Sequence, residues 1–119
     1  MNTPQQWFGK LKEIWLRQAV REISELVAPQ FVYYEEPFEA PITDVAMLVS
    51  EWQAVTEQTI EHLEIEPLVC TERAGTAHYH LIATIAGERH ESRGAYYVRL
   101  DEQGRALEFR QWYAINEAD

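Results

Sequence analysis

The sequence predicts an α+β fold in which N-terminal helices pack on a strongly curved antiparallel β-sheet. Three observations predict it. Apolar residues recur at helical spacing through the N-terminal part, the period changes to two from His62 onward, and strand-like runs joined by short turns fill the rest. Helices first and strands afterwards is the pattern of helices laid on one face of an antiparallel meander. With 119 residues, 46% of them apolar, the chain has material for one core and not two, so residues 1–119 read as one domain.

Thr3-Pro4-Gln5-Gln6 is a helix start: Thr3 caps, Pro4 suits the first helical position, and Gln6 completes a capping box. Trp7, Leu11, Ile14, Trp15 and Leu16 follow at helical spacing. A second helical pattern carries Val20, Ile23, Leu26 and Val27, and Pro29 is expected to end it. Phe31 to Tyr34 is β-prone, and Pro37 and Pro41 bracket a segment that is neither helix nor central strand. A third helix starts at Thr43 or Asp44, carries Val45, Leu48, Val49, Trp52 and Val55 along one side, and ends between Ala54 and Ile60.

Beyond it Leu63, Ile65 and Leu68 alternate with His62, Glu64 and Glu66. Strands are then expected at Thr76–Ile85, Ser92–Leu100 and Ala106–Ile115, with turns at Ala86-Gly87-Glu88 and Asp101–Gly104. Alternation assigns the faces. Ala77, Tyr79, Leu81 and Ala83 belong inside, as do Val98 and Leu100 and the side bearing Leu107, Phe109, Gln111 and Tyr113. Outside lie His78, His80, Ile82, Tyr97 and Trp112, a face poorly suited to water alone. It suggests a second copy of the chain and hence a homodimer.

Ten basic against twenty acidic side chains give a formal net charge of −10. A field of that sign repels phosphate backbones and anionic membrane surfaces, so neither nucleic acid nor a membrane is an expected partner. Cys70 is the sole cysteine, which rules out an internal disulfide and makes a reducing cytoplasm the simplest location. The first residues lack the basic stretch and apolar run of a signal peptide, and no segment approaches the length of a spanning helix.

The segment Tyr34-Glu35-Glu36-Pro37-Phe38-Glu39-Ala40-Pro41, followed by a helix bearing Trp52, has a family look. So has the ending Val98-Arg99-Leu100-Asp101-Glu102-Gln103-Gly104-Arg105 with Phe109-Arg110-Gln111-Trp112-Tyr113. Together they resemble the SnoaL-like branch of the superfamily named for nuclear transport factor two. That superfamily includes ketosteroid isomerases, scytalone dehydratase, limonene epoxide hydrolase, polyketide cyclases and non-catalytic members. The resemblance implies a cone-like roll, its N-terminal helices packed on a strongly curved mixed or antiparallel β-sheet, with a pocket for a small hydrophobic molecule. In the isomerases the proton-shuttling carboxylate stands just before the proline matching Pro37, a position held here by Glu36, with Glu35 as the alternative. Tyr96 matches the strand position of the isomerase's oxyanion-binding acid. The first-helix tyrosine of those enzymes has no counterpart, since the chain reads Leu11-Lys12 there.

These residues define a concrete chemistry. A carboxylate at the rim of an apolar pocket is partly desolvated and becomes a usable base, and a phenol across the pocket could donate to a developing enolate oxygen. Glu36 or Glu35 would be that base and Tyr96 that donor, without any cofactor. Adjacent residues of an extended segment point opposite ways, so only one of the two glutamates can face inward. Phe38, Trp52, Val98, Phe109, Gln111, Tyr113 and Trp15 are the candidate ligand-binding residues. The expected activity is isomerisation, cyclisation or dehydration, and the alternative is a non-catalytic dimerising or ligand-binding module whose pocket is filled by its own side chains. His78 and His80 share a strand face but have no obvious third ligand, so they read as interface residues and no metal is expected.

Overall fold

The structure, a computed structural model, describes residues 2–116. Helix α1 runs Pro4–Arg17 and begins with the capping box read from the sequence: Gln6 N–H donates to Thr3 Oγ1 and Thr3 N–H to Gln6 Oε1. Gln18 ends it in the left-handed conformation, φ 57°. Its side chain donates to the carbonyls of Val55 and Gln58, at 2.9 and 2.6 Å. Trp7, Phe8, Leu11, Ile14 and Trp15 are buried, whereas Leu16 is about half exposed on the opposite face.

The second helical pattern forms a 3₁₀ helix, Val20–Leu26, and strand β1 then occupies Val27–Tyr34. The strand thus starts four residues before the β-prone run and contains Pro29. Proline is tolerated there because β1 is a sheet edge, where no N–H is needed for a ladder. Helix α2, Val45–Trp52, is capped by Asp44, whose carboxylate accepts from Met47 N–H, and it continues as a 3₁₀ turn, Gln53–Glu57. Leu48, Trp52 and Val55 are its buried residues, while Val45 is exposed.

Strands β2 (Thr59–Cys70), β3 (Ala74–Ile85), β4 (Glu88–Leu100) and β5 (Ala106–Ile115) form the expected antiparallel meander. Strand β1 adds to β5 in parallel, so the five-stranded sheet is mixed, in the order β1-β5-β4-β3-β2. The β3–β4 hairpin turns on Ala86 and Gly87, both with positive φ, as a two-residue turn matched to strand twist requires.

The face assignment stands for β3 and β4, where Ala77, Tyr79, Leu81, Ala83, Tyr96, Val98 and Leu100 are buried. In β5 a bulge pairs Leu100 with Ala106 and Arg99 with Glu108, so Ala106 is fully buried where Leu107 was expected, and Leu107 is half-buried. Leu68 is exposed near the irregular end of β2. Cys70 is partly exposed.

Buried residues of α1, α2 and the sheet's inner face form one contiguous core, so the sheet wraps round the helices. Rings continue through it. Trp7 meets Phe109 edge-on at 4.9 Å, Phe109 stacks on Tyr33 and lies beside Tyr96, Tyr96 stacks on Tyr79, and Trp15 follows, edge-to-face with Trp52 at 5.1 Å. Gly94 lets this column close up: a Cβ there would lie 2.0 Å from the Trp112 carbonyl oxygen and 2.7 Å from the Tyr79 ring. Gly94→Ala is therefore expected to cost about 1–3 kcal/mol, because backbone cannot yield as a side-chain tip can. Chemical denaturation checks this, and an unchanged midpoint would contradict it.

Candidate functional site

Beside these rings the roll holds a cavity of about 260 Å³. That volume is just below the roughly 300–1,000 Å³ of ordinary small-ligand sites, so it suits a compact molecule. Trp15, Trp52, Val55, Tyr79, Leu81 and Ile115 supply apolar wall, Glu35, Glu51, Gln58, Gln111 and Tyr113 supply polar atoms, and His90 and Glu91 also contribute.

Glu35 enters the wall because of strand alternation. Tyr33 of β1 pairs with Phe109 and faces inward, so the residue two further on shares its side. The chain returns at once: Ile42 and Tyr33 exchange both backbone hydrogen bonds, at 2.8 and 2.9 Å, and this closes the loop over residues 34–41. The fully buried Tyr33 hydroxyl donates to Glu35 Oε2, and Gln111 Nε2 donates to Oε1 at 3.2 Å. Each carboxylate oxygen therefore has a fixed donor. Burial raises the Glu35 pKa above the usual glutamate range, and the negative charges of Glu51 and Glu36 add to the rise. The Tyr33 and Gln111 hydrogen bonds oppose it.

Burial also pushes the Tyr79 phenol up to about 12, so it stays a donor near neutral pH. The Trp52 indole N–H favours the Tyr33 anion but makes no hydrogen bond of normal geometry. Trp15 Nε1 donates to Gln58 Oε1 at 2.9 Å, fixing both in the wall.

The structure brings together Glu35, Trp15, Trp52, Gln111 and Tyr113 from the residues singled out in the sequence. Glu36 lies outside this wall, where it accepts a hydrogen bond of 2.8 Å from the Tyr113 hydroxyl. Of the adjacent glutamates, Glu35 is the one in the cavity. Tyr96, Val98 and Phe109 face inward but lie deeper in the packed column, and the Tyr96 hydroxyl is buried without a partner among the described residues. Phe38 is fully exposed at the tip of its proline-bracketed loop and does not contribute to the wall. Tyr33, Tyr79 and Glu51 are site residues that the sequence did not single out. Alternation from Phe31 would have paired Tyr33 with Glu35, whereas Glu51 arrives through tertiary packing of α2.

On the outer face His80 Nε2 lies 2.6 Å from Glu91 Oε2, and the His62 and His80 rings meet at 4.9 Å. Asn116 donates to Glu91 Oε1; with His80 it holds that carboxylate below the usual range. Among the described residues no group of three or more His, Cys, Asp or Glu side chains is placed to hold a metal.

The raised Glu35 pKa fixes the sign of a pH effect. The folded state binds this proton more tightly than the unfolded chain, so the contribution is full below the unfolded pKa and is lost as pH rises through the folded one. The melting temperature of Glu35→Gln should thus gain on that of wild type as pH rises from about 4 to about 8. Thermal melts of both proteins across that range check this. A wild-type protein that instead gains on the variant as pH rises would contradict the assigned environment.

No family model matches the sequence, and no curated protein matches it. Solved structures do. A steroid delta-isomerase from Pseudomonas aeruginosa superposes with a TM-score of 0.67 at 13% identity, over 95% of this chain and 84% of that one. A nuclear transport factor two-like protein of unknown function from Burkholderia pseudomallei gives 0.73 at 14%, over 96% and 92%. An LEH-like epoxide hydrolase from M. tuberculosis gives 0.67 at 12%, over 86% and 75%. The chain has the nuclear transport factor two-like fold that the resemblance implied. At these identities the likeness extends to the fold alone.

Proposed function

We propose that this chain, built on the nuclear transport factor two-like fold, binds a small apolar carbonyl compound in the cavity and moves a proton on it without a cofactor. The observation that carries the reading is Glu35: a desolvated carboxylate with raised pKa, held by two donors in the wall of an otherwise largely apolar cavity. A proton leaves the carbon next to the carbonyl for the Glu35 carboxylate, and the C–H electrons pass to the carbonyl oxygen as an enolate. Tyr79 is the lining donor nearest in kind to what that oxygen needs, a role the sequence suggested for Tyr96. Return of the proton to another carbon completes an isomerisation, and attack of the enolate on an electrophile completes a cyclisation. Loss of a β-hydroxyl would make the reaction a dehydration. The fold of the isomerase and hydrolase neighbours accommodates such a site but does not specify its chemistry.

The test needs no knowledge of the natural substrate. In D₂O the protein should accelerate α-deuterium incorporation into cyclopentanone or cyclohexanone above an equal concentration of acetate, read by proton NMR. No acceleration with any ketone that binds would leave the second reading, a non-catalytic binding module. The aromatic column filling much of the core favours that reading.

A second copy of the chain is proposed to cover the outer sheet face around His78, His80, Tyr97 and Trp112. Trp112 is 41% exposed there beside a half-buried Tyr97. Sedimentation as a monomer at micromolar concentration would remove this proposal. The location stays the cytoplasm proposed from the lone cysteine; no helix among the described residues is long and apolar enough to cross a membrane.

A further inference from the structure

The cavity's walls carry information about the charge of what enters. Glu35 and Glu51 bring carboxylates to its lining, and among the described residues His90 is its one basic side chain, with no lysine or arginine; Glu91 also lines it, but His80 and Asn116 hold its carboxylate on the outer face. Four aromatic side chains, Trp15, Trp52, Tyr79 and Tyr113, line the same space. The two indoles meet edge-to-face at 5.1 Å, which turns their planes nearly perpendicular and makes a corner. Aromatic faces attract cations through the ring quadrupole, most strongly where water is excluded, and carboxylates beyond them add a longer-range attraction. An anion entering this space would meet two carboxylates and no lysine or arginine among the described residues, whereas a neutral molecule gains only apolar contact.

The aromatic corner and the acidic lining together lead us to infer that the cavity selects an organic cation, a compact apolar ring carrying a protonated amine. This rests on the pocket assigned under the proposed function and adds the charge of its ligand. The like-charge repulsion that Glu51 and Glu36 impose on Glu35 would be relieved by such a ligand. The protein's formal net charge of −10 would steer cations toward the opening at low ionic strength.

Three probes of nearly equal shape test this by calorimetric titration: 2-phenylethylamine, 2-phenylethanol and 3-phenylpropanoate. The amine should bind about tenfold tighter than the alcohol, as one cation–π contact plus a screened charge predicts, and the acid should bind weakest. Glu51→Gln, at an exposed helix position that tolerates change, should shrink the amine-to-alcohol ratio several-fold, and added salt should shrink it too. Equal affinities for amine and alcohol would overturn the cation inference and leave the pocket reading intact. Tighter binding of the acid would overturn it as well. Failure of all three to bind would overturn both.

Discussion

Glu35→Gln is expected to slow α-proton exchange by about 10²–10⁴-fold, the range a positioned general base contributes. The substitution keeps the shape and the acceptor for the Tyr33 hydroxyl while removing the basic oxygen. Loss of rate should therefore come without loss of fold or of ligand binding. Glu36→Gln, altering a carboxylate outside the cavity wall, should lower the rate by far less, because it changes only the field felt by Glu35. Reversal of that order would move the base back to Glu36, the residue the family pattern indicates. Retention of full rate in both variants would remove the proton-transfer reading altogether.

Trp7→Ala should be the most destabilising single change in the core. The side chain is fully buried, packs edge-on against Phe8 and Phe109, and donates its indole N–H to the Leu26 carbonyl at 2.9 Å. Truncation loses the ring's burial and leaves a void, about 3–5 kcal/mol for such residues, and orphans a buried carbonyl, adding about 1 kcal/mol or more. For a chain of this size that lowers the melting temperature by roughly 10–25 °C. Trp7→Phe restores much of the ring but not the hydrogen bond and should recover most, not all, of the loss. A Trp7→Ala protein that melts within a few degrees of wild type would mean that α1 is not packed into the core through this ring.

Much of this architecture was legible in the residues, and the reasons differ by element. Thr3-Pro4-Gln5-Gln6 is a local signal that tertiary structure did not overrule, and the same is true of the alternation in β3. Val20–Leu26 has helical spacing but is too short to nucleate an α-helix before the chain enters the sheet, so it closes as a 3₁₀ turn. The start of β1 was hidden because Pro29 reads as a breaker, and nothing in the sequence marks an edge strand that pairs in parallel with the last one. At the site the acidic pair was visible as chemistry, but which member enters the cavity depended on Tyr33 pairing with Phe109 across seventy-odd residues of chain. The same limit applies to Phe38, whose aromatic character suggested a wall residue while its loop carries it into solvent.

The open sheet ends in two lateral strands, β1 and β2, and exposed strand edges are templates for polymerisation. Both are blunted. β1 is interrupted by Pro29, and β2 carries exposed Glu61, Glu64 and Glu66 ahead of Pro67 along its length. A second chain adding edge-on to β2 would bring like charges into register and meet a residue with no N–H to offer. The sheet thus needs no closure into a barrel to protect its margins.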